Sequence, residues 1–443
     1  MKLSNYNHFY NMEDDILAYN ARTNAMAVLE NEDFNKLNGI LKGNVCDASK
    51  LIDELTYGGF LIEDYVDELD LIRHDMYANR FSTSQLNLTI APTSDCNFRC
   101  PYCYEKDVLH TQRMSDEVAN RIVEFVKTKS TIIDQFNVTW YGGEPLLEYD
   151  RIIDLSNKFM DICEKNSVNY SAGIVTNGYL LTENRLKKLI ECKVSSVQIT
   201  LDGVKESHDQ RRYLINHGGT FDRIIANLVS LEKIAKELTN FPKISVRMNI
   251  DRNNKKEAFE LLEFIANSSL GTYIVPYVAN IYLPSDVNHE VTLTESEYIQ
   301  LKQDFTQKSK SLGFKVDYLA FYPRRITSTC CCDRFDSAVI DAKGNMFKCW
   351  EEIGEEEACV GQIGSEETYN LPQLYYNYLL YDPTTIEGCR ECKILPVCMG
   401  GGCPLRRVRD KRKNCKFQID EFNINMQKSA LSFGKKISEE VYI

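Results

Sequence analysis

Between residues 86 and 278, six short runs rich in β-branched and aromatic residues are separated by longer stretches with helical spacing. The runs are Leu86–Pro92, Phe136–Tyr141, Ser171–Thr176, Val197–Leu201, Ile244–Ile250 and Tyr273–Val278. Between them, Val118, Ile122, Phe125 and Val126 recur at helical intervals, and similar stretches cover Arg151–Glu164, Glu183–Glu191, Phe221–Leu238 and Lys255–Ala266. Strand followed by helix, repeated, points to a parallel sheet, because parallel neighbours need a crossover between them. The expected fold class is α/β, with the sheet curled into a partial (β/α)6 TIM-like barrel. In such sheets chemistry gathers where the strands end at their carboxyl side.

That rim carries the chemistry-bearing residues. The first strand runs straight into Ser94-Asp95-Cys96-Asn97-Phe98-Arg99-Cys100-Pro101-Tyr102-Cys103-Tyr104, a C-x3-C-x2-C loop. Cys96, Cys100 and Cys103 can hold three irons of a cubane iron–sulfur cluster, whereas an electron carrier supplies four thiolates. The iron without a protein ligand is free to bind and activate something else. The second strand ends in Tyr141-Gly142-Gly143-Glu144-Pro145, the third in Thr176-Asn177-Gly178, the fourth in Thr200-Leu201-Asp202-Gly203. Then follow His208-Asp209-x2-Arg212 and Gly218-Gly219-Thr220-Phe221-Asp222, and the fifth strand carries Arg247-Met248-Asn249. Glycine turns and polar caps close most βα loops, so any one of these alone is punctuation. Their order on successive strands behind a three-cysteine loop is not.

Two flanks remain. Residues 1–80 are expected to form a small winged-helix-like module: strands at Asp15–Tyr19 and Ala25–Leu29, a helix at Asp33–Leu41, a second helix capped by Asp47, and a closing strand at Phe60–Ile62. Residues 81–315 are the barrel, and 316–443 a cysteine-rich domain. Ten of the 16 cysteines lie from Cys330 to Cys415. They include Cys389-x2-Cys392-x5-Cys398-x4-Cys403, then Cys415, with Gly344-x4-Cys349 and Cys330-Cys331-Cys332 upstream. Paired C-x2-C spacings also suit a zinc ribbon. Neighbouring side chains rarely all aim at one cluster, so one of the three consecutive cysteines is expected to be spare. Cys46, Cys163, Cys192 and Cys359 read as small buried hydrophobes. With no apolar export segment at the start, so many cysteines read as metal ligands in a reducing, oxygen-poor cytoplasm. No apolar run is long enough to span a bilayer, and the net charge of −12 argues against nucleic acid as a partner.

From residue 85 onward these motifs resemble the radical S-adenosylmethionine (SAM) superfamily. The resemblance implies a [4Fe–4S] cluster on Cys96, Cys100 and Cys103, whose open iron chelates the amine and carboxylate of SAM. One electron then cleaves SAM to a 5′-deoxyadenosyl radical. Gly142, Gly143 and Glu144 match the motif that meets the methionine amine, and Thr176 and Asn177 match positions near ribose and methionine. Thr200 keeps a hydroxyl where serine is commoner. Arg212 matches a basic partner of the SAM carboxylate, and Tyr102 the aromatic position beside adenine. The tail resembles the SPASM extension, which binds two auxiliary [4Fe–4S] clusters. The implied ligands are Cys389, Cys392, Cys398 and Cys415 for one, and Cys349 and Cys403 with Cys331 and Cys332 for the other. The Cys398–Cys403 interval, Met399-Gly400-Gly401-Gly402, is one residue longer than the common form. Such enzymes modify peptides. The residue after Cys349 is Trp350, where the formylglycine-forming branch has its aspartate base, and the leading module resembles the element that captures a leader peptide as an added strand. The expected activity is thioether crosslinking of a ribosomally made precursor peptide, with an electron donor such as flavodoxin or ferredoxin. The alternatives are carbon–carbon or carbon–oxygen crosslinking, sulfatase maturation, or a metal scaffold without turnover.

Overall fold

The computed structural model of the protein describes all residues except 43–47, 110, 282–290, 316–320, 365–370, 410, 412–414, 433–435, 439 and 442–443. The expected Asp47 cap and Cys46 lie outside the described residues. The chain divides into two compact units: Ser82–Val316 with Phe335–Tyr376, and Met1–Phe81 with Asp317–Arg334 and Asn377–Ile443. The stretch read as one cysteine-rich domain is therefore shared between them.

The larger unit is built on β1 (Gln85–Ile90), β2 (Gln135–Trp140), β3 (Asn169–Thr176), β4 (Val194–Thr200), β5 (Lys243–Ile250) and β6 (Ile274–Asn280). They pair in sequence order, every pair parallel. Helices at Asp116–Lys129, Tyr149–Lys165, Glu183–Glu191, Phe221–Ser230 and Lys255–Ala266 make the crossovers. Local chemistry starts them: Ser115 and Thr182 cap the first and third with side-chain oxygens on backbone N–H groups. Leu86, Leu88, Phe136, Val138, Trp140, Ile174, Ile199, Val246 and Met248 are buried against these helices. The alternate positions, on the opposite face of the sheet, are polar. Asn137 Nδ2 donates to Asn87 Oδ1 (2.9 Å), Ser171 Oγ to Asn137 Oδ1 (2.7 Å), and Tyr277 Oη to Gln198 Oε1 (2.7 Å). A closed TIM barrel fills its interior with branched apolar side chains; this one lines it with hydrogen-bonding groups.

Sequence reading did not anticipate that the sheet grows past β1. Strand β7 (Ser337–Ile340) adds parallel to β1, and β8 (Asn345–Phe347) and β9 (Gly361–Gln362) continue it antiparallel. The runs are short and set among turns, so their period-2 signal is weak.

In the smaller unit, strands Asn7–Asn11, Asp15–Asn20 and Met26–Glu30 form an antiparallel meander, with Glu440–Val441 on the far edge. Helices Asn31–Leu41, Ser49–Tyr57 and Glu68–Arg80 follow, and Lys2–Leu3 pairs with Leu61–Ile62. Strand Asn7–Asn11 was missed because His8 and flanking asparagines mask its apolar face. Among the described residues, Met26–Glu30 pairs on one side only, and Val28 on it is half exposed.

Candidate functional site

The rim motifs converge around the cysteine loop. Thr93 starts the loop, its Oγ1 accepting from Asp95 N at 3.0 Å, and Asp95 Oδ1 accepts from Cys96 N at 2.8 Å. Two backbone bonds tie the loop to the chain after Arg212: Arg99 N to Tyr213 O (2.9 Å) and Ile215 N to Asn97 O (3.1 Å). The glycine pair explains itself here. Gly142 has φ +104°, and a Cβ there would sit 2.6 Å from Thr93 O. A Cβ on Gly143 would lie 2.2 Å from Asp95 O. Only glycine lets the two loops touch, and Glu144 N donates to Asp95 O across the contact at 2.8 Å.

Glu144 is fully buried, and its carboxylate accepts from Thr176 Oγ1 (2.7 Å), Asn177 N (2.8 Å) and Leu146 N (3.0 Å). Burial pushes its carboxyl up, and these three donors pull against it. Asn177 Nδ2 in turn donates to Asn97 Oδ1 at 2.8 Å. Glu144 thus fastens the end of β2 to the end of β3, while Asn177 fastens β3 to the cysteine loop. Thr200 is buried at the end of β4.

Tyr102 reaches the opposite side. Its hydroxyl bonds to Asp202, accepts from Arg212 Nη1 at 2.7 Å, and lies 3.4 Å from Asn249 Nδ2. Asp202 Oδ1 also accepts from Asn249 N at 3.1 Å. Burial drives the Tyr102 phenol well above its usual range, so it stays protonated as a donor to Asp202. Arg212 is buried, and its Nε has no hydrogen-bond partner among the described residues. His208 braces this arginine: Nε2 meets Thr220 Oγ1 at 3.0 Å, and Thr220 Oγ1 donates to Arg212 O at 2.5 Å. Burial, then Arg212, keeps His208 neutral. Asp202, Asn249 and Asn97 were not singled out from sequence, although all three stand in the motifs; nothing in a motif says which of its polar residues meet.

Burial pushes the thiols of Cys96 and Cys100 up, and that of Cys103 up to about 12. Their Sγ atoms do not gather within 4.8 Å, the spread expected of ligands to different irons. A cubane with one open iron fits this loop. So does SAM beside it: Arg212 offers a buried, unspent donor to a carboxylate.

Glu105, two residues past Cys103, is 5% exposed; its backbone carbonyl accepts from Val108 N at 2.9 Å, but its carboxylate makes no hydrogen bond or ion pair among the described residues. Burial alone raises its carboxyl to about 7. It lines a cavity of about 450 Å³ with Thr93, Gln112, Gly142, Asp341 and Cys359. Cys359 is half-buried there, its Sγ donating to Gly361 O at 3.2 Å, whereas Cys163 and Cys192 are buried as expected.

Cys349 is buried just past β8, and the ring of the next residue, Trp350, packs 4.8 Å from Tyr141 at the end of β2. Tyr141 lies within electrostatic reach of both Cys103 and Cys349, so these two thiols share one neighbourhood at the rim. In the smaller unit, Cys398 feels Cys392 and Cys389, and Cys392 feels Cys415. Met399, Gly400, Gly401 and Gly402 are four consecutive residues at positive φ, which is why the interval before Cys403 is glycine. Cys403 and Cys415 are exposed. All three Sγ atoms of Cys330, Cys331 and Cys332 lie within 4.8 Å of one another.

The fold and rim fit an enzyme that uses an iron–sulfur cluster and SAM at the mouth of a partial barrel. Residues 90–265 match the Radical SAM superfamily, and this span is that of a radical SAM enzyme. A cysteine-type anaerobic sulfatase-maturating enzyme of Clostridium novyi (strain NT) is 27% identical over 380 residues, 81% of this chain and 97% of that one. Among solved structures, anSMEcpe with bound AdoMet and Cp18Cys peptide superposes with a TM-score of 0.58 at 19% identity, covering 79% of this chain and 97% of the other. Streptococcus suis SuiB bound to S-adenosylmethionine covers 93% of this chain and 97% of its own, with a TM-score of 0.53 at 16% identity. These likenesses bear on the fold of the barrel and of the regions on either side of it. Among the described residues no helix is long and apolar enough to cross a membrane.

Proposed function

We propose that the protein is a peptide maturase that installs a cysteine sulfur-to-carbon thioether in a ribosomally made precursor. The observation that carries the peptide reading is the edge strand Met26–Glu30. Its outer backbone groups have no strand partner among the described residues, and Val28 stands half exposed on it. Proteins normally blunt such edges; one left open beside a helix invites an extended peptide to add as a strand. The polar interior of the barrel supports the same reading, because it offers amide-matching groups to a backbone rather than a packed core. The sulfatase-maturating relative and the peptide-bound anSMEcpe act on, or bind, polypeptide.

When bound, SAM on the cluster supplies a carbon-centred radical able to take hydrogen from an unactivated C–H bond. The chain's residues do the positioning. Cys96, Cys100 and Cys103 hold the cluster, Gly142 and Gly143 admit the methionine end, and Arg212 takes its carboxylate. Glu144, Thr176 and Asn177 keep the loops in register, with Thr200 and Tyr102 completing the walls. Cys389, Cys392, Cys398 and Cys415 are assigned to one auxiliary cluster. Linking C–H and S–H as C–S removes two hydrogens per bond: the radical takes one as an atom, and the thiol loses the other as a proton, with an auxiliary cluster the group that would accept the remaining electron. Trp350 favours this over formylglycine formation, because an indole cannot take the proton that an aspartate would. The 27% identity to a sulfatase-maturating enzyme keeps formylglycine as the second reading.

The test has two stages. Reconstituted protein with SAM and a reductant releases 5′-deoxyadenosine, and Cys100→Ala abolishes it; a scaffold protein releases none. Co-expression with short cysteine-bearing peptides encoded beside its gene then yields a product lighter by two hydrogens per link, its cysteines resistant to alkylation. Free thiols in the linked product refute the thioether.

A further inference from the structure

We propose that the cavity beside the cysteine loop is a subsite for a basic side chain of the substrate peptide, a lysine or an arginine, with Glu105 as its counter-charge. The proposal rests on the peptide reading above and names what that peptide must carry. Glu105 is 5% exposed, and among the described residues its carboxylate meets neither a hydrogen-bond donor nor a cation. A buried carboxyl left without a partner is costly, and a native chain keeps one where something else completes it. The cavity it lines holds about 450 Å³, the size of a small-ligand pocket.

The walls select the sign and the shape of the occupant. Asp341 and Glu356 share the lining with Glu105, against a single lysine, Lys343. Asp341 is spent on its own turn: Oδ1 accepts from Lys343 N at 2.9 Å and Asn345 N at 2.8 Å, and Oδ2 from Asn345 Nδ2 at 3.0 Å. It keeps its charge, so three carboxylates stand against one ammonium. Among the described residues no three ligand atoms gather within 4.8 Å at this cavity, so a bare metal ion finds no cage there. Val108, Phe347 and Ile353 supply apolar wall. An alkyl stem below a charged head, as in lysine and arginine, matches both parts.

The cavity also stands where it can matter. The chain turns tightly after the cysteine loop, with Lys106 N donating to Cys103 O at 3.2 Å and Val108 N to Glu105 O at 2.9 Å. Gly354 lets the chain beyond β8 close on that turn, since a Cβ there would lie 3.0 Å from Val108 Cβ. Gly142, from the glycine pair that touches the cysteine loop, lines the same cavity. A basic residue seated here holds its peptide neighbours beside the loop. Glu105 then decides which peptide is accepted and touches no reacting atom.

The full chain, loaded anaerobically with iron and sulfide, is titrated with the Nα-acetyl methylamides of lysine, arginine and norleucine, the last an uncharged analogue of lysine. The rise of the thermal midpoint with concentration gives each dissociation constant. A basic amide is expected to bind wild type at least about tenfold more tightly than the norleucine amide, and Glu105→Gln to remove that preference, as loss of a charge-assisted bond implies. Equal binding of basic and neutral amides overturns the proposal, as does a preference that survives Glu105→Gln. No shift with either basic amide also overturns it and gives the carboxylate to Lys343. If Glu105→Gln does not fold, the amides on wild type decide alone. The assay needs neither precursor nor turnover, so its failure leaves the peptide reading untouched, and failure of that reading shows in the product mass instead.

Discussion

Replacing Glu105 by glutamine should make the protein more stable, by an amount that depends on pH. The carboxyl is 5% exposed and without a partner among the described residues, and burial alone raises it from 4.5 to about 7. Below pH 4.5 it is protonated in the folded and the unfolded chain, and its ionisation changes nothing. Between 4.5 and 7 the unfolded chain ionises while the folded one holds its proton, so stability falls as pH rises; above 7 the loss is complete. A shift of that size corresponds to about 3 kcal/mol at pH 8. Glutamine keeps the shape and does not ionise. The assay is the thermal midpoint of wild type and Glu105→Gln, cluster-loaded and scanned at one rate from pH 5 to 8. The variant should melt close to wild type at pH 5 and several degrees higher at pH 8. A variant that melts lower at pH 8, or a gap that does not change with pH, refutes the isolated carboxyl and means that a cation partners it in solution.

Gly143→Ala puts a Cβ 2.2 Å from the Asp95 carbonyl and must displace the cysteine loop; SAM cleavage should fall about a hundredfold, read as 5′-deoxyadenosine released. Arg212→Lys loses the 2.7 Å bond to Tyr102 and the planar fork for a carboxylate. With charge-assisted bonds at about 1.5–3 kcal/mol, KM for SAM should rise by roughly 10- to 100-fold, measured by initial rates. Gly400→Ala sits at φ +93° with a Cβ 2.8 Å from the Tyr381 ring. Strain of about 1–3 kcal/mol plus that collision should lower iron content while SAM cleavage by the barrel cluster persists.

Much of the barrel was legible because its signals agree at several levels. Each of the six strands alternates faces and each helix has one apolar stripe, and Glu183–Glu191 and Lys255–Ala266 begin and end where the spacing places them. The expected single helix Phe221–Leu238 is two, broken after Ser230, because the apolar stripe alone does not report a change of axis. The rim motifs were legible as a set, since each ends a strand. Their pairings were not: that Glu144 spends its carboxylate on Thr176 and Asn177, or that Tyr102 meets Asp202 and Arg212, depends on contacts between residues 32 to 110 positions apart.

The cysteine-rich tail was legible by spacing and misleading by spacing. C-x2-C counts ligands but is blind to the backbone that aims them. Four successive positive φ values between Cys398 and Cys403 absorb the extra residue, so the longer interval need not carry Cys403 further along the chain's path. The opposite holds at Cys330–Cys332. Strand geometry would alternate neighbouring side chains across two faces, and helix geometry would fan them apart. One extended residue followed by a 3-10 turn does neither, and that switch is set by Asp333, the residue after the last cysteine. Three thiols in a row are therefore brought together through a carboxylate that carries no metal-ligand signature of its own.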